Sequence, residues 1–119
     1  MTLSIQMHPE PGHVRATATG QADSEDFRKA VDYIATATRN GSPYLLIDLC
    51  GVQQSLSAGD IAFLAEHAAI AFHHLKRVAS LVRAGERKGV AEAVANEQGL
   101  ALRTFVDEPS AIAWLLSTS

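Results

Sequence analysis

The 119 residues leave room for one packed core and not for two, so a single domain over 1–119 is expected. With 47% apolar and 19% charged residues, the composition is that of a globular protein and excludes a disordered tail or a coiled coil. A formal charge of −3, from 10 basic and 13 acidic side chains, gives no broad positive field and argues against nucleic acid as a partner.

The chain opens Met1-Thr2-Leu3-Ser4-Ile5, without a positive start, an apolar core or a small-residue cleavage site. Nothing there directs secretion, and a cytoplasmic protein is expected. Leu3, Ile5 and Met7 alternate with polar neighbours before a turn at Pro9–Gly12, and Val14, Ala16 and Ala18 alternate after it, which predicts a β-hairpin. Asp23 and Ser24 offer caps to a first helix with Phe27, Ala30, Val31, Ile34 and Ala37 at helical spacing, ending near Asn40-Gly41. The run from Tyr44 to Asp48 is almost continuously apolar, as a central strand covered on both faces requires. From Ser57 to about Leu75, Ile61, Leu64, Ala65, Ala68, Phe72 and Leu75 form a helical stripe, predicting the longest element. A strand at Arg77–Val82, a helix at Glu86–Gln98 closed by Gly99, and a strand at Leu100–Val106 follow. Asp107-Glu108-Pro109 then opens a last helix carrying Ile112, Leu115 and Leu116, with Trp114 as a further anchor. No apolar stretch approaches the roughly 20 residues of a membrane span.

The expected class is therefore α/β: an N-terminal hairpin beside a mostly parallel sheet of about five strands with about four helices, joined by right-handed crossovers. Ligands and partners of such sheets meet the loops at the carboxyl ends of the strands, here Leu49–Leu56 and Arg83–Lys88.

Leu46-Ile47-Asp48-Leu49-Cys50-Gly51-Val52, followed by Ser57-Ala58-Gly59 opening a helix, resembles the STAS superfamily of anti-sigma-factor antagonists. In that family an apolar strand ends in Asp-x-Ser-Gly-Val, and a serine or threonine at the start of the next helix is phosphorylated by a partner kinase. The resemblance places Ser57 at that position, with Leu56 and Cys50 standing where the family carries an acidic residue and a serine. Leu102-Arg103-Thr104-Phe105 and Ala111-Ile112-Ala113-Trp114-Leu115 are similar to the SpoIIAA-like branch, stand-alone bacterial domains. The resemblance implies the SpoIIAA-like fold, an interaction loop at Asp48, Cys50, Gly51, Ser57, Gly59 and Asp60, and a protein partner of the anti-sigma-factor or kinase-like kind.

Each candidate also has a plain structural role. Ser57-x-x-Asp60 is a capping-box start, in which the hydroxyl satisfies a free backbone N–H; a phosphate there would meet the positive helix end but also Asp60. Cys50 is a lone cysteine that cannot form an internal disulfide, fits a reducing compartment, and lacks a Cys-His spacing that would make it catalytic, so packing is expected. Asp48 is expected to hold the loop after the strand. His67 and His74 share a helix face but lie about 10 Å apart along the axis, and His8 and His13 lack a third ligand, so no metal is expected. Arg83, Arg87 and Lys88 form a basic loop around Gly85 and Gly89, the best place for contact with an anion.

A non-enzymatic regulatory interaction module without a cofactor is the leading expectation, since no nucleophile, base and orienting group appear together. The alternative is a small-molecule or lipid carrier whose second and fourth helices border a pocket. A homodimer through the small-residue face of Ala62, Ala65, Ala69 and Phe72 is a further expectation.

Overall fold

Alternation in the first two segments is realised as an antiparallel pair, β1 (Leu3–Glu10) and β2 (His13–Ala22), in register from Leu3 opposite Gly20 to Glu10 opposite His13. The computed structural model describes residues 3–54, 56–85 and 89–117. The hairpin turn is only Pro11-Gly12, so Pro9 belongs to β1 and not to the turn expected at Pro9–Gly12. Proline presets the first turn position, and Gly12 takes the second at a φ of +82°, a conformation that a side chain disfavours.

Helix α1 (Ser24–Ala37) starts at a reciprocal cap: the Asp26 N–H donates to Asp23 at 2.9 Å, and the Asp23 N–H donates to Asp26 at 3.1 Å. Then come β3 (Tyr44–Gln54), α2 (Ala58–Ala71), β4 (Arg77–Leu81), α3 (Val90–Glu97), β5 (Leu102–Phe105) and α4 (Glu108–Leu115). Helix α2 stops four residues before Leu75, because Phe72 and Leu75 continue the apolar rhythm in a buried turn and not in the helix. At 14 residues it shares the greatest length of any element with α1. No described helix is long and apolar enough to cross a membrane.

The strands lie in the order β1-β2-β3-β4-β5, antiparallel at the hairpin and parallel from β2 onward. Parallel strands that step one way through right-handed crossovers keep their helices on one face. Accordingly Ile34 and Ala35 of α1, Ala65 and Ala69 of α2 and Ala95 of α3 share one core with Ala16, Leu45 and Val78. Among the described residues no strand follows α4, and this helix turns back over the opposite face, where Ala111 and Leu115 pack on Leu46, Ala79 and Leu81. Period-two alternation thus sends Leu45 to one core and Leu46 to the other, which is why β3 needs its continuous apolar run.

Two expectations fail on this arrangement. Helices α2 and α4 occupy opposite faces, so the carrier pocket expected between them does not form. Ala65, Ala69 and Phe72 are buried against the sheet and present no face to a second copy.

The lone helix α4 is tied at its C-terminal end by Arg77 of β4. Its Nη1 donates to the carbonyls of Trp114 and Ser117 at 2.6 and 2.9 Å, and the guanidinium lies 5.5 Å from the Trp114 ring. A cation there faces the negative end of the helix dipole and adds a charged donor to the Trp114 carbonyl, which also accepts the Ser117 N–H at 3.3 Å. At the C-terminal end of α1, the Thr38 hydroxyl lies within hydrogen-bond distance of the Ile34 and Ala35 carbonyls and 2.9 Å from His74 Nε2. Desolvation, followed by the neighbouring His73 and Arg39 charges, holds the His74 imidazole below its ordinary range.

Leu115, with no exposed surface, joins Leu46 as a fully buried leucine of the α4 core. Its replacement by Ala should lower the unfolding free energy by about 2–5 kcal/mol in urea titrations. Because His74 takes a proton less readily folded than unfolded, its contribution is fully present above the ordinary imidazole value near 6.5 and declines as the pH falls through it. Urea midpoints measured from pH 8 to 5 should show that decline, and His74→Gln should flatten it.

Candidate functional site

The segment expected as a loop, Leu49–Leu56, is strand as far as Gln54. Thr17 of β2 stands opposite Asp48 and Thr19 opposite Gly51, so Leu49 and Cys50 together face the single residue Ala18. This is a β-bulge, and it explains why side chains after Cys50 break the simple alternation. The Asp48 carboxylate fixes it locally by accepting the Cys50 N–H at 3.0 Å. Space at Gly51 is tight: a Cβ there would stand 3.0 Å from Thr19 Cγ2 and 3.4 Å from the Ala18 carbonyl, so a side chain would need Thr19 to shift. Leu49 stays on the face of Leu45 and Ile47, against Ala18, and Cys50 on that of Leu46, in the α4 core with its Sγ 3.9 Å from the Leu81 carbonyl; the extra residue brings Val52 onto the Leu49 face.

The other Asp48 oxygen accepts from Arg15 of β2, whose second terminal nitrogen reaches Glu108 of α4 at 2.8 Å. The hydrogen bond that Arg15 donates to Glu108 is the largest influence holding the guanidinium charged, against the opposing effect of burial. The bulge, the hairpin and the start of α4 are therefore joined through one side chain. This network was not singled out from the sequence. The available signal was a lone arginine in an otherwise uncharged strand, on the face opposite Val14, Ala16 and Ala18.

Ser57 is the N-cap of α2, as its spacing from Asp60 predicts: its hydroxyl accepts the Asp60 N–H at 3.1 Å, and its own N–H donates to Asp60 at 3.2 Å. The Ser57 side chain is exposed. Gly59 adds little bulk beside it, since a Cβ there would lie 3.8 Å from the Ser57 hydroxyl, an ordinary contact. The interaction-loop residues thus fall into two groups, Asp48, Cys50 and Gly51 at the bulge and Ser57, Gly59 and Asp60 at the helix start.

Farther along α2, Phe63 is 52% and Ile70 75% exposed, and at seven residues apart they share the outer face. That stripe also went unnoticed in the sequence, although a helix with apolar residues on every side signals more than one packing surface. Beside it, His67 Nε2 lies 2.7 Å from Asp32 of α1.

Of the basic loop, Arg83 donates to the Val52 carbonyl at 3.0 Å, while Arg87 and Lys88 lie outside the described residues. His8 stands opposite Arg15, and His13 opposite Glu10. Among the described residues no cluster of three His, Cys, Asp or Glu side chains is arranged to hold a metal.

Among solved structures, an anti-sigma-factor antagonist from Mycobacterium paratuberculosis is similar at 13% identity and a TM-score of 0.62, over 98% of this chain and 96% of that one. An uncharacterised protein with a SpoIIAA-like fold from Shewanella loihica PV-4 is similar at 23% identity and a TM-score of 0.60, covering 96% and 94%. A search of curated proteins finds no match. With the bulged central strand, the capped α2 and the order of elements in place, the SpoIIAA-like family model matches residues 13–116, and the chain belongs to that family.

Proposed function

We propose that this domain is a non-enzymatic regulatory module of the anti-sigma-factor-antagonist kind, meeting a protein partner through the start and outer face of α2. The observation that carries this reading is the exposed apolar stripe of Phe63 and Ile70 on a helix that opens at the exposed Ser57. Large apolar side chains on an outer helix face are the usual core of a recognition surface, and polar residues such as Glu66 supply its surroundings. The fold shared with an anti-sigma-factor antagonist supports the same class of partner.

In this reading Asp48, Cys50 and Gly51 form the bulge that shifts β3 along β2, and so set the position of the Gln54 end of the strand from which the chain turns into α2. Ser57 is the regulatory residue. A phosphate on it would gain free helix N–H groups and the positive dipole end, but its charge would oppose Asp60 and break the reciprocal cap. Modification would thus reorganise the first turn of α2 beside the partner surface. A catalytic role has less support, because the Asp48 oxygens are engaged by Arg15 and Cys50, and the Ser57 hydroxyl accepts a backbone N–H.

Ser57→Ala should cost about 1 kcal/mol of stability in urea titrations through loss of the cap. A photo-crosslinking amino acid at position 63 in the native host should trap an anti-sigma-factor-class protein, whereas one at the exposed Ser110 on the opposite face should not. Equal trapping at both positions, or none at 63, counts against the α2 surface. Phosphate mapped to Ser57 by mass spectrometry supports the switch, and an unmodified Ser57 in cells where the partner is trapped removes it.

A further inference from the structure

The two edges of the sheet are finished differently. On β5, Glu92 of α3 accepts the Thr104 N–H at 3.2 Å, and Asn96 donates to the Leu102 carbonyl at 3.0 Å. Side chains of the domain thus occupy edge groups that another strand would need. On β1, among the described residues, no side chain is bonded to the backbone in this way. From Leu3 to Pro9 the strand also contains no Asp, Glu, Lys or Arg, the charges that commonly discourage edge pairing.

The hairpin geometry defines what β1 offers. With a two-residue turn, Glu10 and His13 form the hydrogen-bonded flanking pair, so ladder alternation directs the backbone groups of Leu3, Ile5, Met7 and Pro9 outward. Pro9, which has no N–H, falls at such an outward position and limits pairing at that end. Leu3, Ile5 and Met7 are only half-buried beneath α1. Above them, Asp32 of α1 reaches across to His67 of α2, which places the neighbouring Tyr33, 55% exposed, on the outer side of α1 turned away from α2.

We infer that the β1 edge is a homodimer interface, at which a second copy of this chain adds its own β1 antiparallel about a two-fold axis at Gln6. A two-fold axis normal to the sheet keeps each side chain on its original face, so opposed residues must have the same parity. Centring on Gln6 puts Ile5 opposite Met7, Leu3 opposite Pro9 and Ser4 opposite His8. Ile5 and Met7 can exchange outward backbone groups, and half-buried apolar side chains extend one another beneath the two copies of α1. The edge is self-complementary, which favours this occupant: the same parity of half-buried apolar residues meets itself, no like charges are opposed, and one uncharged edge serves both copies as an isologous interface requires. The joined sheet has ten strands and ends on both sides in the blocked β5 edge.

Sedimentation of the full chain should show mass rising with concentration from 12.7 kDa toward twice that value. Gln6 is exposed and faces solvent, so Gln6→Lys and Gln6→Glu should leave the melting curve of the dilute, monomeric chain unchanged while each opposes like charges at the axis. Each variant should weaken the dimer, by up to about fivefold for one opposed pair, and an equimolar mixture of the two should restore it. Amide exchange should slow at Ile5 and Met7 on dimerisation. A monomer at all concentrations, a dimer indifferent to both substitutions, or protection confined to another face would overturn the inference. The Phe63 crosslink in the previous section has a different readout, so the two proposals fail separately.

Discussion

Strand β3 must be covered on both sides at once, and most of the domain follows from that constraint. Its residues alternate between two cores, Leu45 under the three crossover helices and Leu46 under α4. A strand with one wet face would tolerate a polar residue at every second position; this one does not until Asp48. There the bulge begins, the ladder to β2 slips by one residue, and β3 runs on to Gln54 before the chain turns into α2. The start of α2 is consequently positioned by a bulged strand whose irregularity is stabilised by the Asp48 carboxylate.

Electrostatics enter where apolar packing is thinnest. Helix α4 has only eight residues and, among the described residues, no helical neighbour on its face, so burial of Ala111 and Leu115 is supplemented by an arginine at each end. The Arg15 and Asp48 side chains are 20% and 16% exposed, between the fully solvated pairs worth about 0–1 kcal/mol and the buried pairs whose disruption costs about 3–5 kcal/mol. Glu108 is more exposed and gains less from the low dielectric. The geometric result is clearer than the energetic one. Arg15 fixes the start of α4 relative to the bulge, and Arg77 fixes its end relative to β4.

The order of elements was legible because each carries a local rhythm: alternation in the hairpin, the continuous run of β3, helical stripes and caps at Asp23, Ser57 and Asp107. The cap at Ser57 was readable for the same reason, since it depends on residues three apart. What escaped notice depends on partners distant in sequence. The end of β3 was misplaced because Asp48 and Gly51 read as loop residues, whereas pairing with β2 keeps them in the sheet. The carrier pocket failed because helical periodicity says which stripe is buried but not which sheet face buries it; crossover direction decides that for α1 to α3, and its absence releases α4. Ala65 and Ala69 had the same ambiguity, being suitable for a close interface or an ordinary core.

Their burial moves the question of surface away from the small-residue stripe, toward Phe63 and Ile70 outside α2 and toward the β1 edge. These two surfaces do not compete. Helix α2 sits between α1 and α3, with its outer stripe turned away from the sheet, whereas β1 offers backbone groups in the plane of the sheet. Pairing two copies about an axis normal to that plane leaves both α2 stripes on the same side of one continuous sheet. A partner with two matching sites would then meet a bivalent surface, and its second contact would form at a local concentration set by the rigid spacing between the two helices. Affinity for such a partner would rise with dimerisation without a new contact on α2, so the uncharged edge strand and the apolar helix stripe would act in a single recognition step.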